Sequence, residues 1–263
     1  MLVSEVMDSL ENLAPRSSAL SWDNVGLLSG SKNSEVKKIY VALEATSECI
    51  ENAIDVKADL LITHHPLIFR EMKSVVYQDF IGKRIISLIE NHISYFAMHT
   101  NYDIHRMGTL VAERLGFSQS IVLEEVPGLI DSEGNPLGLG RLGSIEKPVT
   151  LGEFAECVKD ALAIHSVRIW GDPDTEIRVV GLLPGSGKSD IDLAKMKGAD
   201  VYITGDIDHH SGLDAVEKGL TLIDAGHYGM EYLFTEDVAK YLREQFPDAE
   251  IITAEKREPF VTI

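Results

Sequence analysis

ADLLITHHPL (58–67) decides the fold, because a shorter echo of it, ADVYITGD (199–206), stands in the second half of the chain. In each, Ala-Asp leads a short apolar run that closes on Ile-Thr and gives way to polar residues: His64 and His65 in the first, Gly205 and Asp206 in the second. A short β-branched run bounded in this way reads as a buried strand. Further along, each copy reaches a second apolar run that stops at a histidine followed four positions on by an acid, HTNYD (99–103) and HYGME (227–231). Two landmarks in the same order predict a unit built twice. The interval between them is shorter in the second copy, a difference that repeats absorb in a loop or helix.

Helical and strand patterns alternate around these landmarks. Helices are expected at 4–14, 47–57, 79–92 and 109–116, and strands at 39–43, 59–63 and 93–98. The Gly- and Pro-dense stretch 126–148 reads as turn-rich and as the crossing between halves. Beyond it, Thr150 and Glu153 form a capping box for a helix over LGEFAECVKDALA. Strands at 166–170, 177–183, 200–204, 220–224 and 249–254 then alternate with helices at 190–197, 209–218 and 230–244. The expected fold class is therefore α/β: two related three-layer halves with mixed or mostly parallel sheets, divided as 1–126 and 127–263, with a site between them.

With 263 residues, 44% hydrophobic and 25% charged, the composition is that of a folded globular chain. No apolar run is long enough to cross a bilayer and the amino terminus is acidic and amphipathic, so a cytoplasmic location is expected. The net charge of −18 disfavours a nucleic acid partner, which needs a Lys/Arg stripe. Cys49 and Cys157 match no thiol metal spacing and read as buried small residues.

The candidate chemistry lies after the strands, where open α/β sheets place their ligands. His64 and His65 follow ADLLIT directly. Neighbouring strand residues point to opposite faces, so both rings serve one cluster only if the chain has turned by His65, and Pro66 favours that exit. A polar pair at a strand end is otherwise a loop feature. Asp103 has two oxygens with which to bridge two cations, or it caps the helix that follows. His227 and Glu231 share one helical face at i,i+4, or else serve as a loop residue and a first-turn acid. Together His64, His65, Asp103, His227 and Glu231 form the N/O donor set of a catalytic zinc, iron or manganese centre, and five donors suffice for two ions.

In addition, the segments SWDNVGLLSG (21–30), LLITHHPLIF (60–69), HTNYDI (99–104), GLGRLG (138–143), VYITGDIDHH (201–210) and DAGHYGMEYL (224–233) resemble the NIF3-like family nearly end to end. The resemblance implies a two-domain α/β subunit, a dinuclear site made by the same five residues, and a ring-shaped homohexamer with its sites facing an internal cavity. Family members carry the name GTP cyclohydrolase 1 type 2 homologue. Two positions depart from the family pattern: Glu44 stands where Asp is expected and Asp206 where Glu is commoner. The extra inserted domain of longer members is absent.

The expected function is thus a dinuclear metal-dependent hydrolase, in which a metal-bound hydroxide attacks a nucleotide or related heterocycle. With GTP, attack falls on C8 of the purine and releases formate. His99 is the expected proton shuttle or orienting residue, ahead of His209 and His210. The rival reading is a non-enzymatic metal-binding scaffold, or a protein of metal storage, delivery or regulation. GLLPGSGKS (181–189) misses the Walker A spacing by one residue, which leaves only weak phosphate contact open. Trp22 offers a ring for stacking on a base, although core packing is the commoner role of such a residue.

Overall fold

The computed structural model describes residues 1–117 and 119–261. In chain order the elements are α1 (Val3–Leu13), β1 (Gly26–Ser29), β2 (Lys38–Ala42), α2 (Ser47–Asp55), β3 (Leu60–Thr63), α3 (Phe80–Glu90) and β4 (Ser94–Ala97). A continuous helical segment follows, made of α4 (Thr100–Tyr102), a π-helical stretch at Asp103–Met107, and α5 (Gly108–Arg114). Then come β5 (Gln119–Ile130), β6 (Pro136–Thr150), α6 (Leu151–Leu162), β7 (Arg168–Trp170), β8 (Glu176–Leu182), α7 (Ile191–Met196) and β9 (Val201–Thr204). The chain closes with α8 (His209–Glu217), β10 (Thr221–Asp224), α9 (His227–Glu231), α10 (Leu233–Gln245) and β11 (Glu250–Thr253).

Two compact units result, Met1–Tyr102 with Phe234–Lys256, and Asp103–Leu233 with Arg257–Ile263. They do not coincide with a cut at 126/127. The carboxyl-terminal α10 and β11 return to the first unit, where β11 pairs in parallel with β2.

The first unit carries a five-stranded sheet in the order β1-β4-β3-β2-β11, parallel except for β1. Both faces of its strands are apolar. Tyr40, Ala42, Leu61, Tyr95 and Ala97 pack with Cys49, Ile50 and Ala53 of α2 and Ile85 and Leu88 of α3. Ile39, Val41, Leu60, Ile62 and Phe96, on the alternate positions, are equally buried, as are Val3, Val6 and Leu10 of α1 and Val238 and Leu242 of α10. A sheet buried on both sides reads as continuous Ile/Leu/Val runs, which is why LLIT shows no alternation. Hydrogen bonds from Ser9 Oγ to Tyr241 Oη and from Tyr241 Oη to Ser9 O tie α1 to α10.

The second unit has a six-stranded mixed sheet in the order β5-β6-β8-β9-β10-β7. One face packs Val180, Leu182, Val201, Ile203 and Ile223 against Leu151, Phe154 and Val158 of α6. The other packs Tyr202 and Leu222 against Ile191 and Ala194 of α7 and Ala215 of α8. The Thr150 and Glu153 capping box is formed, with the Thr150 Oγ1 accepting from Glu153 N and the Glu153 carboxylate accepting from Thr150 N.

The repeat is visible in the connectivity of the two units. β1, β2, β3 and β4 and, in the same chain order, β7, β8, β9 and β10 make the same pattern: the first strand antiparallel to the fourth, the fourth parallel to the third, the third parallel to the second. Register refines the correspondence. Met98 N donates to Thr63 O and Ala225 N donates to Thr204 O, so these two residues are equivalent. His99 therefore aligns with Gly226 and His227 with Thr100, and the two histidines are offset by one position.

Three local readings change. The stretch 126–148 lies mostly in the long antiparallel pair β5-β6, not in a run of turns. Three of its glycines mark close approach between strands, as at Gly138, where a Cβ would overlap Glu124 O, and at Gly140, at φ +63°, where one would overlap Leu182 O. Cys157 is exposed on α6, while Cys49 is buried. Trp22 is 57% exposed and takes no part in the core. Among the described residues, no helix is long and apolar enough to cross a membrane.

Candidate metal centre

In the first unit the site begins with a turn at the end of β3. Tyr95, fully buried on β4, places its hydroxyl beneath that turn, accepting from Leu67 N at 2.8 Å and donating to His65 O at 3.1 Å. Thr63 Oγ1 joins it, 2.7 Å from Tyr95 Oη and 2.8 Å from His65 O. These bonds draw the backbone out of the strand before Pro66, so His64 and His65 do not diverge; their ring centroids are 4.8 Å apart. His64 is fully buried against the Phe234 ring.

Each ring is fixed through Nδ1. His64 Nδ1 lies 2.8 Å from Met98 O, and because a carbonyl oxygen only accepts, that nitrogen carries the proton. His65 Nδ1 meets Glu44 Oε1 at 2.7 Å, and His99 Nδ1 meets Asp23 Oδ1 at 2.9 Å. Nε2 is thereby the nitrogen each ring would present to a metal. Carboxylate or carbonyl partners on the remote nitrogen are the usual way in which metal-binding histidines are oriented and made more basic. One ligand atom from each of His64, His65 and His99 lies within 4.8 Å of the other two.

Asp23 does two jobs. Besides holding His99, its Oδ2 accepts from Thr100 N at 2.9 Å and Thr100 Oγ1 at 2.6 Å, which satisfies the start of the helical segment. Burial raises the Asp23 carboxyl, but the hydrogen bonds from His99 and Thr100 outweigh it and hold the group at about 2. Asp103 is consequently not the helix cap. It lies past the first turn, at the opening of the π-helical stretch, a feature that recurs at functional sites.

In the second unit His227 opens α9. Its Nδ1 is 2.8 Å from Asp206 Oδ2, and its Nε2 is 2.9 Å from Oε2 of Glu231, which is buried. Asp206 adopts φ +59°, an uncommon left-handed conformation for a non-glycine residue. Asp224 holds that loop and the next: its carboxylate accepts from Ile207 N at 3.1 Å and Gly226 N at 2.9 Å, and it pairs with Arg168. Gly185, at φ +81°, passes against Glu231, where a Cβ would overlap Oε1. The near-Walker segment is thus a support for Glu231. Its Gly187 amide is already donated to Thr204 Oγ1.

The structure gathers His64, His65 and His99 in one unit and His227 with Glu231 in the other. Asp103 stands on the helical segment that begins directly after His99. Glu44 and Asp206, the two acids marked out by the expected family pattern, each meet the Nδ1 of a histidine 21 residues further on, Glu44 that of His65 and Asp206 that of His227. Asp23 was not singled out from sequence, since nothing local marks an aspartate whose partner is 76 residues away. Imidazole nitrogens with oriented Nδ1 protons and a buried carboxylate fit a divalent first-row metal, and among the described residues the thiols take no part.

The family model described as Duf34/NIF3 (NGG1p interacting factor 3) matches residues 1–259. The chain belongs to the DUF34/NIF3 family. A relative from Clostridium perfringens named GTP cyclohydrolase 1 type 2 homolog is 35% identical, with 99% of each chain covered. Among solved structures, a Bacillus cereus protein related to NIF3 superposes with a TM-score of 0.92 at 26% identity, covering 100% of this chain and 99% of its own. Reduced HcgD from Methanocaldococcus jannaschii gives a TM-score of 0.80 at 30% identity, covering 96% and 97%. The DUF34/NIF3 fold expected from the motifs is therefore the fold of this chain.

Proposed function

We propose that this DUF34/NIF3 protein is a dinuclear metal-dependent hydrolase acting on a nucleotide or related nitrogen heterocycle, in line with the GTP cyclohydrolase name of its relatives. The observation that carries this reading is the set of histidines whose Nδ1 atoms are all engaged by Met98 O, Glu44, Asp23 or Asp206. Such anchoring orients donors for a cation. His64, His65, Asp103, His227 and Glu231 are the proposed ligands of two zinc, iron or manganese ions. Bound ions would lower the pKa of a coordinated water toward neutrality and polarise the substrate.

His99 is the proposed proton carrier. Asp23 holds its Nδ1 proton in place, leaving Nε2 to accept a proton from attacking water and return it to the departing nitrogen. For a purine, one water adds at C8 and opens the five-membered ring by breaking a C8–N bond; a second releases C8 as formate. From the family resemblance we further propose a cytoplasmic homohexamer, its assembly to be checked by light scattering.

The test is a screen of nucleotides and pterins against protein loaded separately with zinc, iron(II) and manganese. Turnover with at least one metal, lost in His65→Ala, is expected. No turnover with any of the three would favour a metal-binding scaffold over an enzyme.

A further inference from the structure

Trp22 and Phe69, 57% and 48% exposed, place two large rings side by side on one edge of the first unit. They are neither separate nor loose. Their centroids lie 5.9 Å apart with planes inclined at 64°, and each ring also stands edge-on to His99, at 5.9 Å from Trp22 and 6.3 Å from Phe69. His99 in turn touches the His64 and His65 rings at 5.2 and 5.4 Å. The two exposed rings therefore border the histidine cluster within the same unit.

The backbone beneath them is pinned from both sides. Asn24 Nδ2 donates to Ile68 O, tying the loop of Trp22 to the residue before Phe69. Leu20 N donates to Thr100 Oγ1, Asp23 N to Leu20 O, and Asp23 takes His99 and Thr100 on its two oxygens. Consecutive residues thus divide the work: Asp23 orients the histidine, Asn24 fixes the neighbouring loop, and Trp22 turns its ring outward. Fixing aromatic side chains in exposed positions before a ligand arrives lowers the ordering cost of binding.

We propose that Trp22 and Phe69 form an aromatic corner that binds a planar nitrogen heterocycle by stacking, and so select the substrate class of the hydrolase. Two rings inclined at 64° offer one face for stacking and one edge for lateral contact, whereas the anionic phosphate of a sugar phosphate gains little from either. This inference rests on the proposed hydrolase function for its biological meaning, but not for its measurement, because binding is read without turnover.

Guanosine and ribose 5-phosphate are the probes, with affinities measured by equilibrium dialysis on the zinc-loaded full chain. Guanosine is expected to bind at least tenfold tighter than ribose 5-phosphate. Trp22→Ala and Phe69→Ala should each lose about ten- to a hundredfold in guanosine affinity, the worth of one base-aromatic stack. Trp22→Phe should stay within about threefold of the unsubstituted protein, since it keeps a stacking face. Zinc content should not change in any variant, which separates the aromatic corner from the metal ligands. Unaltered guanosine affinity in Trp22→Ala overturns the proposal, as does a loss shared equally by ribose 5-phosphate. A Trp22→Ala variant altered only in oligomeric state also overturns it, in favour of a subunit contact. Intact guanosine binding with no hydrolysis of any nucleotide would sink the hydrolase reading alone; unchanged kcat/KM in Trp22→Ala would sink this one alone.

Discussion

Replacing Glu44 by alanine tests whether the carboxylate behind His65 tunes a metal ligand. Glu44 Oε1 accepts from His65 Nδ1 at 2.7 Å, a charge-assisted geometry, but its side chain is 47% exposed. Hydrogen bonds to charged groups contribute about 1.5–3 kcal/mol, and solvent screening puts this one at the low end. Loss of about 1.5 kcal/mol corresponds to roughly tenfold weaker metal binding, within the ten- to hundredfold range typical for partners of ligating histidines. Glu44→Gln keeps an acceptor and should lose only about threefold. The fold should be nearly indifferent, within about 0.5 kcal/mol, because Glu44 lies outside the core. Zinc affinity is read by competition with a chromophoric chelator, and stability by thermal melting followed by circular dichroism. Unchanged zinc affinity in Glu44→Ala would refute the reasoning, as would a loss that merely tracks a fall in Tm.

Gly185→Ala should both strain a left-handed position, costing about 1–2 kcal/mol, and push Glu231 aside; melting and zinc content should fall together, and retained zinc would contradict a role for Gly185 in placing Glu231. Only Cys157 should react with a thiol reagent in the native state at pH 8, since burial and then the Glu44 carboxylate push the Cys49 thiol up to about 12; two fast thiols would contradict this. Thr150→Ala removes the cap of α6 and should destabilise the protein by about 1 kcal/mol in urea unfolding, with metal content unaffected.

Much of this was legible in the chain because the decisive signals are local. LLIT and VYIT announce buried strands by their unbroken apolar character, and Thr150 with Glu153 announces a helix start across a single turn. His64 and His65 could be placed at a strand end, with Pro66 hinting at the exit, yet the turn itself depends on Tyr95, which only pairing of β3 with β4 brings beneath it. Glu44 and Asp206 stood out as departures, but their role needs the strand order that sets each beside a histidine. The β5-β6 pair is not legible in the sequence, because glycine signals a turn and a close strand crossing alike, and only the neighbouring strand distinguishes them. The return of β11 to β2 was likewise invisible, since a short strand carries no mark of its partner.

Metal content per chain, measured by elemental analysis after saturation and gel filtration, bears most directly on the proposed centre. Two ions per chain are predicted for the unsubstituted protein, with clear loss in both His65→Ala and Glu231→Ala. Full occupancy in those two variants, or a single ion in the unsubstituted chain, would contradict a dinuclear site built from these residues.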